Sequence, residues 1–468
     1  MNRDANDSDR HAQEHSRGTS RSPFRPAAQD LIRVGSRRWF LQTGLSGVAG
    51  LSLPAILGLR NRAAAANPSG GANTKSVILF WLSGGPSHID LWDPKPDAPQ
   101  EIRGPYQPIS TKVPGVVLSE HLPLQASIAD RLSFLRAVDC KASNHTPITM
   151  QAGNPLARRT DDGKDGGGYP SMGSIVAKFR GANHSDLPPF VGLAPAWKSD
   201  VWEAGHLGSA HAPVNGLELV GKFGLPAGVQ VDRLQDRDRL RLAFDRLRRD
   251  VDRSDVLNKV DRFNSRAFEM VTGGHVQKAF DLTGESDATR ELYGRNSIGE
   301  KAILARRLVE SGVSFVLVSG AWGYFDHHGD SVQWGGIVKG LTPLLPHVDR
   351  AIYGLVSDLE RRGLLDSTLV LMLGEFGRSP VINKDAGRDH WTNVMSMVAA
   401  GGGLRHGQAV GSTDSKGYDV KDGLVRPQDL AATVFRHLGI DLASHWVNPQ
   451  GRPIPIVVEG GRPIPELG

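Results

Sequence analysis

The chain has 468 residues, of which 39% are hydrophobic and 22% charged, a composition typical of soluble globular proteins that can bury a sizeable core. Its basic excess lies in residues 1–66, which contain ten Arg, no Lys and five acidic residues. The rest of the chain has 45 basic and 45 acidic side chains, and this neutral balance gives no support for nucleic-acid binding. The single cysteine, Cys140, excludes an intrachain disulfide framework and a thiolate metal cluster.

The N-terminal region is typical of a targeting segment, and we do not expect it to be part of the fold. Residues 1–35 are polar and lack an apolar period, so we expect them to be disordered. The sequence SRRWFL at 36–41 resembles the twin-arginine export motif, and a moderately apolar segment and an alanine run ending near Ala66 follow it. A transmembrane anchor is the alternative, but glycines and a proline interrupt the apolar segment and a small-residue cleavage site follows it. The sequence therefore predicts twin-arginine export and a periplasmic or secreted mature chain with no transmembrane span.

The mature chain, residues 67–468, alternates between strand and helix patterns, which predicts a single domain. Continuous apolar runs at 77–82, 315–318 and 369–373 are typical of strands covered on both faces. Weaker strand patterns lie at 131–138, 188–195 and 394–403, and segments with helical spacing separate several of these strands. This alternation predicts an α/β fold with a mostly parallel central sheet and helices on both faces.

Residues 228–310 differ from this plan, because they are rich in charge and have Leu and Phe at wide spacing. We interpret them as a mainly helical insertion that forms a solvated layer on one side of the sheet. A coiled-coil partner helix is the alternative interpretation.

Polar residues cluster where the predicted strands end, and ligands of open α/β sheets bind outside the carboxyl ends of the strands. Histidine and carboxylate side chains from separate strands therefore converge on one edge, and they are the ligand types of zinc, manganese and iron. The sequence predicts a shared polar site that holds a metal ion. Its members are His88 and Asp90 after the first strand, His145 and Thr146 after 131–138, Asp326 and His328 after 315–318, Glu375 and Arg378 after 369–373, and His390 before 394–403.

Glu375 is unusual because it follows a buried apolar run directly after Gly374. It either forms a salt bridge with Arg378 or serves the site at the sheet edge. A buried ion pair gains little over apolar residues of the same volume, so stability gives a weak reason to end a core strand with a carboxylate. We therefore expect Glu375 to contact the metal directly, or a histidine ligand or water beside it.

Four segments of the sequence together resemble a known family. They are VILFWLSGGPSHIDLWDPKP, AILARRLVESGVSFVLV, LGEFGRSP and GRDHW, and they begin at residues 77, 302, 373 and 387. They resemble the exported bacterial proteins grouped as domain-of-unknown-function family fifteen-oh-one, across nearly all of the mature chain. That family resembles the alkaline phosphatase and sulfatase superfamily, which carries metal ligands and a nucleophile on loops at one edge of its sheet. The resemblance implies that Asp326, His328 and His390 hold one metal ion.

Two positions depart from the superfamily pattern. The superfamily has Asp directly after its first strand, where this chain has Ser83, and Asp-His where this chain has Glu375-Phe376. Since those positions would build a second metal site, the resemblance implies that this site is either altered, with His88 and Asp90 as candidate replacement ligands, or absent, which would leave one ion rather than two.

The catalytic candidates are Thr146, His145 and Arg378. The sulfatase signature Cys-x-Pro-x-Arg does not occur, and both Thr146 and the alternative Thr149 follow His145 in the region where the superfamily carries its nucleophile. Arg378 is suited to hold anionic oxygens through bidentate hydrogen bonds, and Arg388 is the alternative.

The leading hypothesis is an exported, metal-dependent hydrolase of phosphate or sulfate esters. Its partner would be a small anionic ester or a sulfated or phosphorylated polymer, and its ion is zinc, manganese or calcium. The alternative is a non-catalytic binding or assembly protein of the periplasm that kept the fold.

Overall fold

An eight-stranded sheet forms the centre of the molecule in the computed structural model, which describes residues 74–157, 166–220, 275–320, 323–458 and 460–468. Its strands are β1 (Ser76–Trp81), β2 (Leu132–Val138), β3 (Phe190–Leu193), β4 (Val214–Asn215), β5 (Phe315–Ser319), β6 (Thr368–Leu373), β7 (Met395–Gly401) and β8 (Gln408–Val410). They lie in the order β8-β2-β7-β6-β1-β5-β3-β4. Strand β7 is antiparallel to its neighbours β2 and β6, and every other adjacent pair is parallel.

Helices cover both faces of this sheet. The α-helices of the described residues are α1 (Gln100–Arg103), α2 (Pro123–Ser127), α3 (Ile148–Ala152), α4 (Met172–Phe179), α5 (Trp197–Asp200), α6 (Gly216–Leu219), α7 (His275–Phe280), α8 (Asp287–Tyr293), α9 (Ser297–Ser311), α10 (Thr342–Arg361) and α11 (Pro427–His437). A π-helical turn, Ile337–Leu341, leads directly into α10.

The two faces have separate hydrophobic cores because side chains alternate along each strand. Ile78 and Phe80 of β1 pack into the core shared with α8, α9 and α10. Val77 and Leu79 point the other way, into the core shared with α4 and α11. Every residue of β1 is buried, which explains its continuous apolar sequence.

The turn after β1 brings two loops of the carboxyl edge into close contact. Gly84 has a φ of 107°, in the region that favours glycine, and an added Cβ would lie 2.5 Å from the backbone N of Asp326. The loop after β5 therefore lies directly against the end of β1. A short antiparallel ribbon formed by Gly377–Arg378 and His390–Trp391 joins the same edge, with His390 opposite Arg378.

The predicted fold class is confirmed, since the sheet is mostly parallel and has helices on both faces. The predicted targeting segment at 1–66 lies outside the described residues, and so does most of the insertion predicted at 228–310. From residue 275 onward that region contains α7, α8 and most of α9. Among the described residues, no helix is long and apolar enough to cross a membrane.

Candidate metal centre

Three loops and the short ribbon deliver polar side chains to the carboxyl edge of the sheet. His145 lies between β2 and α3, Asp326 and His328 follow β5, and Glu375 follows β6. His390 lies in the ribbon that precedes β7. Because β2, β5 and β6 run in the same direction, their carboxyl ends meet at one edge, and these side chains approach each other there.

His145, Asp326 and His390 form a triad whose ligand atoms all lie within 4.8 Å of one another. The Nε2 atom of His145 is 3.5 Å from Oδ2 of Asp326. The Nε2 atom of His390 is 3.3 Å from Oδ1 of the same carboxylate. Asp326 thus occupies the centre of the triad, with an imidazole facing each of its oxygens.

His328 extends the cluster from the other side of His390. Its Nε2 atom lies 3.1 Å from Oδ1 of Asp326 and 2.9 Å from Nε2 of His390. Its Nδ1 atom lies 3.2 Å from Oδ1 of Asp389, which can accept a hydrogen bond from Nδ1–H and so orient Nε2 toward Asp326 and His390. Both imidazoles of this pair therefore present nitrogen toward the same carboxylate.

Glu375 is 2% exposed and contacts the triad through His145. Its Oε1 accepts the Gly84 amide hydrogen at 2.8 Å and lies 3.1 Å from Nδ1 of His145. An Nδ1–H group that donates to this carboxylate orients the ring so that Nε2 of His145 faces Asp326. Oε2 of Glu375 is buried and has no hydrogen-bond partner among the described residues.

Arg378 is a buried side chain that contacts the triad through Asp326. Its Nη2 lies 2.5 Å from Oδ1 of Asp326 and also donates to the carbonyl of Gly84. Nε donates to the Gly85 carbonyl at 3.0 Å, and Nη1 donates to the Arg388 carbonyl at 3.0 Å. All three guanidinium nitrogens of Arg378 therefore bind backbone carbonyls or a carboxylate inside the protein.

The remaining predicted site residues have other partners. Asp90 forms a buried bidentate pair with Arg388, with N–O distances of 2.7 and 2.9 Å. His88 is buried and bonds through Nε2 to the Gly417 carbonyl at 2.9 Å. Thr146 donates its hydroxyl to Oδ1 of Asn144 at 2.7 Å, beside His145. The structure thus brings His145, Asp326, His328, Glu375, Arg378 and His390 together, whereas His88 and Asp90 lie outside the triad.

Burial and neighbouring charges shift the pKa values of the three triad side chains. Burial alone would raise the pKa of Asp326, but hydrogen bonds with His145, His390 and Arg378 outweigh it and hold that pKa far below its usual range. Hydrogen bonds to Asp326 and Glu375 raise the pKa of His145 to about 9. Burial lowers the pKa of His390, although Asp326 opposes this effect. Asp326 therefore keeps its negative charge between the two imidazoles.

The donor set fits a divalent transition metal. Two or three imidazole nitrogens and one carboxylate are the ligands preferred by zinc and manganese, whereas calcium prefers oxygen ligands throughout. His145 and His328 each have a carboxylate beside the other ring nitrogen, the arrangement that orients histidine ligands in metal sites. His145, Asp326 and His390 would hold the ion, with His328 adjacent.

Sequence reasoning placed His145 among the catalytic residues and did not predict it as a member of the ligand group. Its only signal was its position just after a predicted strand, which it shares with Asn144 and Thr146. It also did not single out the support that Asp389 gives to His328, or the contact between the Gly84 amide and Glu375. These contacts join residues far apart in the chain.

The chain belongs to the family described as Protein of unknown function (DUF1501), whose model matches residues 74–467. This match confirms the family resemblance seen in the four sequence segments. A comparison with curated proteins finds no match.

Solved structures with a similar fold include hydrolases. The chain is 11% identical to Ps i-CgsB in complex with k-i-k-neocarrahexaose, with a TM-score of 0.39, over 78% of this chain and 72% of that one. It is 14% identical to the PsFucS1 sulfatase from Pseudoalteromonas sp., with a TM-score of 0.34, over 83% and 71% of the two chains. It is 13% identical to the alkaline phosphatase from the Antarctic bacterium TAB5, with a TM-score of 0.31, over 78% and 98%. At these identities the likeness concerns the fold alone.

Proposed function

We propose that this chain is an exported, metal-dependent hydrolase of phosphate or sulfate esters that works with one divalent ion. The observation that carries the proposal is the convergence of His145, Asp326 and His390 from three separate segments onto one point at the carboxyl edge of the sheet. The donor set favours zinc or manganese. The substrate would be a small anionic ester or a sulfated or phosphorylated polymer.

The triad is accessible from solvent, which a hydrolase requires. The side chains of His145 and His390 are 28% and 36% exposed, and that of Asp326 is 14% exposed. A ligand can therefore reach the imidazoles from solvent, whereas Glu375 and Arg378 are buried beside the triad. The exposed side of the triad would let a substrate or water reach an ion held by these three residues, as catalytic metal sites require.

Individual residues of the chain have different roles in the proposed reaction. When bound, the ion supplies Lewis-acid chemistry, which polarises the ester and promotes loss of a proton from an attacking hydroxyl or water. Glu375 accepts a hydrogen bond from Nδ1–H of His145 and so orients the ring, and Nε2 would bind the ion after losing its proton. Thr146 is the candidate nucleophile, because its hydroxyl lies next to His145 in the chain and is oriented by Asn144.

The proposal is tested by turnover of aryl phosphate and aryl sulfate esters across a panel of divalent ions. The protein is purified without a chelating tag, and its metal content is measured by elemental analysis. We expect turnover that a chelator abolishes and that zinc or manganese restores. Replacing Thr146 by Ala should remove turnover while leaving metal content unchanged, whereas Thr146→Ser should retain part of it.

A matched pair of histidine variants separates loss of the ion from general destabilisation. His390→Ala should lose bound metal and turnover together. His406→Ala is the control, because His406 is also partly buried but bonds to Ser133 and to the Gly401 carbonyl. Bound metal without turnover of either ester class would favour the non-catalytic binding or assembly protein. Absence of bound metal in the wild type would refute the metal centre itself.

A further inference from the structure

Arg378 is the charged side chain most deeply built into the centre. It is 1% exposed, and its three nitrogens bind three backbone carbonyls and the carboxylate of Asp326. The Gly84 and Gly85 carbonyls come from the turn after β1, and the Arg388 carbonyl comes from the loop that carries His390. The guanidinium thus ties three segments together and cannot leave without breaking all these bonds.

This position makes Arg378 a fixed positive charge beside the two buried carboxylates. Histidines that bind an ion do so as neutral imidazoles, and Asp326, Glu375 and Arg378 then together carry a single formal negative charge. One divalent ion turns this into a single positive charge, and two ions would turn it into three. Since unbalanced charge is costly away from water, the protein's own charges favour one ion.

The ring of Phe376 also favours a single ion, because it occupies space beside the triad. Its ring is 1% exposed and lies with its centroid 4.5 Å from the His390 ring and 5.5 Å from the His145 ring. The Arg378 guanidinium carbon is 5.8 Å from the same ring. A hydrocarbon ring thus lies beside the two histidines and Arg378, and the described residues offer a single group of three ligands.

We propose that Arg378 is a positioning residue that takes the electrostatic place of a second metal ion. It holds Asp326 in the triad, offsets the charge of Asp326 and Glu375, and restricts the centre to one divalent ion. This inference rests on the proposed function, and it changes the role predicted for Arg378. The guanidinium acts on the carboxylate that would bind the ion, and not on the anionic oxygens of the substrate.

The first test is the number of zinc ions bound by the wild-type full chain. We expect one ion per chain by elemental analysis after equilibration with excess zinc and removal of free metal. Two ions would overturn this inference and the single-ion part of the proposed function, but would leave metal-dependent ester hydrolysis standing. A chain that binds no ion would remove the proposed function, and this inference with it.

The second test compares Arg378→Met with Arg378→Lys. Both variants lose the branched hydrogen-bonding geometry, but only the lysine keeps the charge. Because a fixed cation repels a divalent ion nearby, zinc affinity should be at least about tenfold higher in the Met variant than in the Lys variant. Affinity is measured by competition with a chromogenic chelator, after thermal unfolding has shown that both variants fold.

Arg388→Met is the matched control, since Arg388 is equally buried but pairs with Asp90 outside the triad. It should lower thermal stability without changing zinc affinity or stoichiometry. Equal zinc affinities in the Met and Lys variants of Arg378 would show that the side chain is merely structural. If neither variant folds, the wild-type stoichiometry alone decides.

Discussion

At the scale of single residues, Glu375 shows why a buried strand can end in a carboxylate. The sequence left two interpretations open, a salt bridge with Arg378 or a role at the sheet edge. In the structure Glu375 binds the Gly84 amide and His145, while the salt bridge of Arg378 goes to Asp326. Its charge therefore acts on a histidine of the triad.

We expect Glu375→Gln to weaken zinc binding by about ten- to a hundredfold, the range typical of residues that orient metal ligands. The amide keeps the volume of the side chain but no longer offers His145 a charged acceptor. The apo-protein should unfold at nearly the same temperature as the wild type. Affinity is measured by chelator competition, and unfolding by calorimetry.

Asp90→Asn provides the comparison, since Asp90 is also buried and ionically paired but lies outside the triad. It should cost stability and leave zinc affinity intact. The opposite pattern, in which Glu375→Gln destabilises the apo-protein without a change in zinc affinity, would make Glu375 a purely structural residue.

His437 should make the protein less stable in mild acid. It is 4% exposed, and burial lowers its pKa to about 4, while its Nε2–H donates to the Ser76 carbonyl. The unfolded chain binds a proton at this position near its ordinary pKa of about 6.5. Between these values the unfolded state holds more protons, so stability falls as the pH decreases from about 6.5 towards 4.

The expected loss from this one group is about 2 kcal/mol between pH 7 and pH 5. His437→Gln keeps a hydrogen-bond donor but does not titrate, so its urea-unfolding free energy should fall by that much less over the same interval. If the unfolding free energies of the wild type and the variant had the same pH dependence, His437 would not titrate in this way.

The candidate site was only partly predictable at this scale. Histidine and carboxylate residues at strand ends indicated a shared edge, and six of the predicted side chains do meet there. The sequence could not separate Asp90 from them, because its partner Arg388 lies 298 positions away and only the folded chain shows the pair. Partner choice among buried charges depends on distances that no spacing rule supplies.

At the scale of elements, the long apolar strands were the most predictable part of the fold. The runs at 315–318 and 369–373 correspond to β5 and β6 to within one residue, because both strands are buried along their length. The edge strands β4 and β8 have two and three residues and carry no periodic signal of their own. The reversed direction of β7 also leaves no local trace, since strand direction is set by chain connections and pairing.

Helix α9 offers an element-level test of local sequence signals. Asn296 caps its first turn, and its Oδ1 accepts the amide hydrogens of Ile298 and Gly299 at 3.0 and 3.1 Å. Asn296→Ala leaves these donors without that partner, so the free energy of unfolding should fall by about 1 kcal/mol. Asn296→Asp keeps the acceptor and should lose much less. Equal losses in the two variants, measured by urea unfolding, would argue against the cap.

At the scale of the whole molecule, the edge that carries the candidate centre depends on the entire topology. Strands β2, β5 and β6 are separated by long stretches of sequence, yet their parallel arrangement places His145, Asp326 and Glu375 together. The helices on both faces keep this edge as the open end of the sheet. A divalent ion that binds only the folded chain should therefore raise its melting temperature by mass action.

Export of the folded, metal-loaded chain is the remaining prediction at this scale. The twin-arginine pathway moves folded proteins, which suits a protein that acquires its ion before it leaves the cytoplasm. Replacing both Arg37 and Arg38 by Lys keeps the charge but removes the guanidinium pair of the motif. We expect a longer precursor to accumulate in the cytoplasm and the shorter periplasmic form to fall at least about tenfold.

Cell fractionation with an antibody against the mature domain measures both forms. The matched control replaces Arg60 and Arg62 by Lys, since these arginines follow the apolar segment and lie outside the motif. That variant should be exported like the wild type, because the motif and the apolar segment stay intact. An undiminished yield of the short periplasmic form from the Arg37/Arg38 variant would contradict twin-arginine export. Full-length chain in the membrane fraction would instead support the anchor, because a signal peptide is removed on export and an anchor is retained.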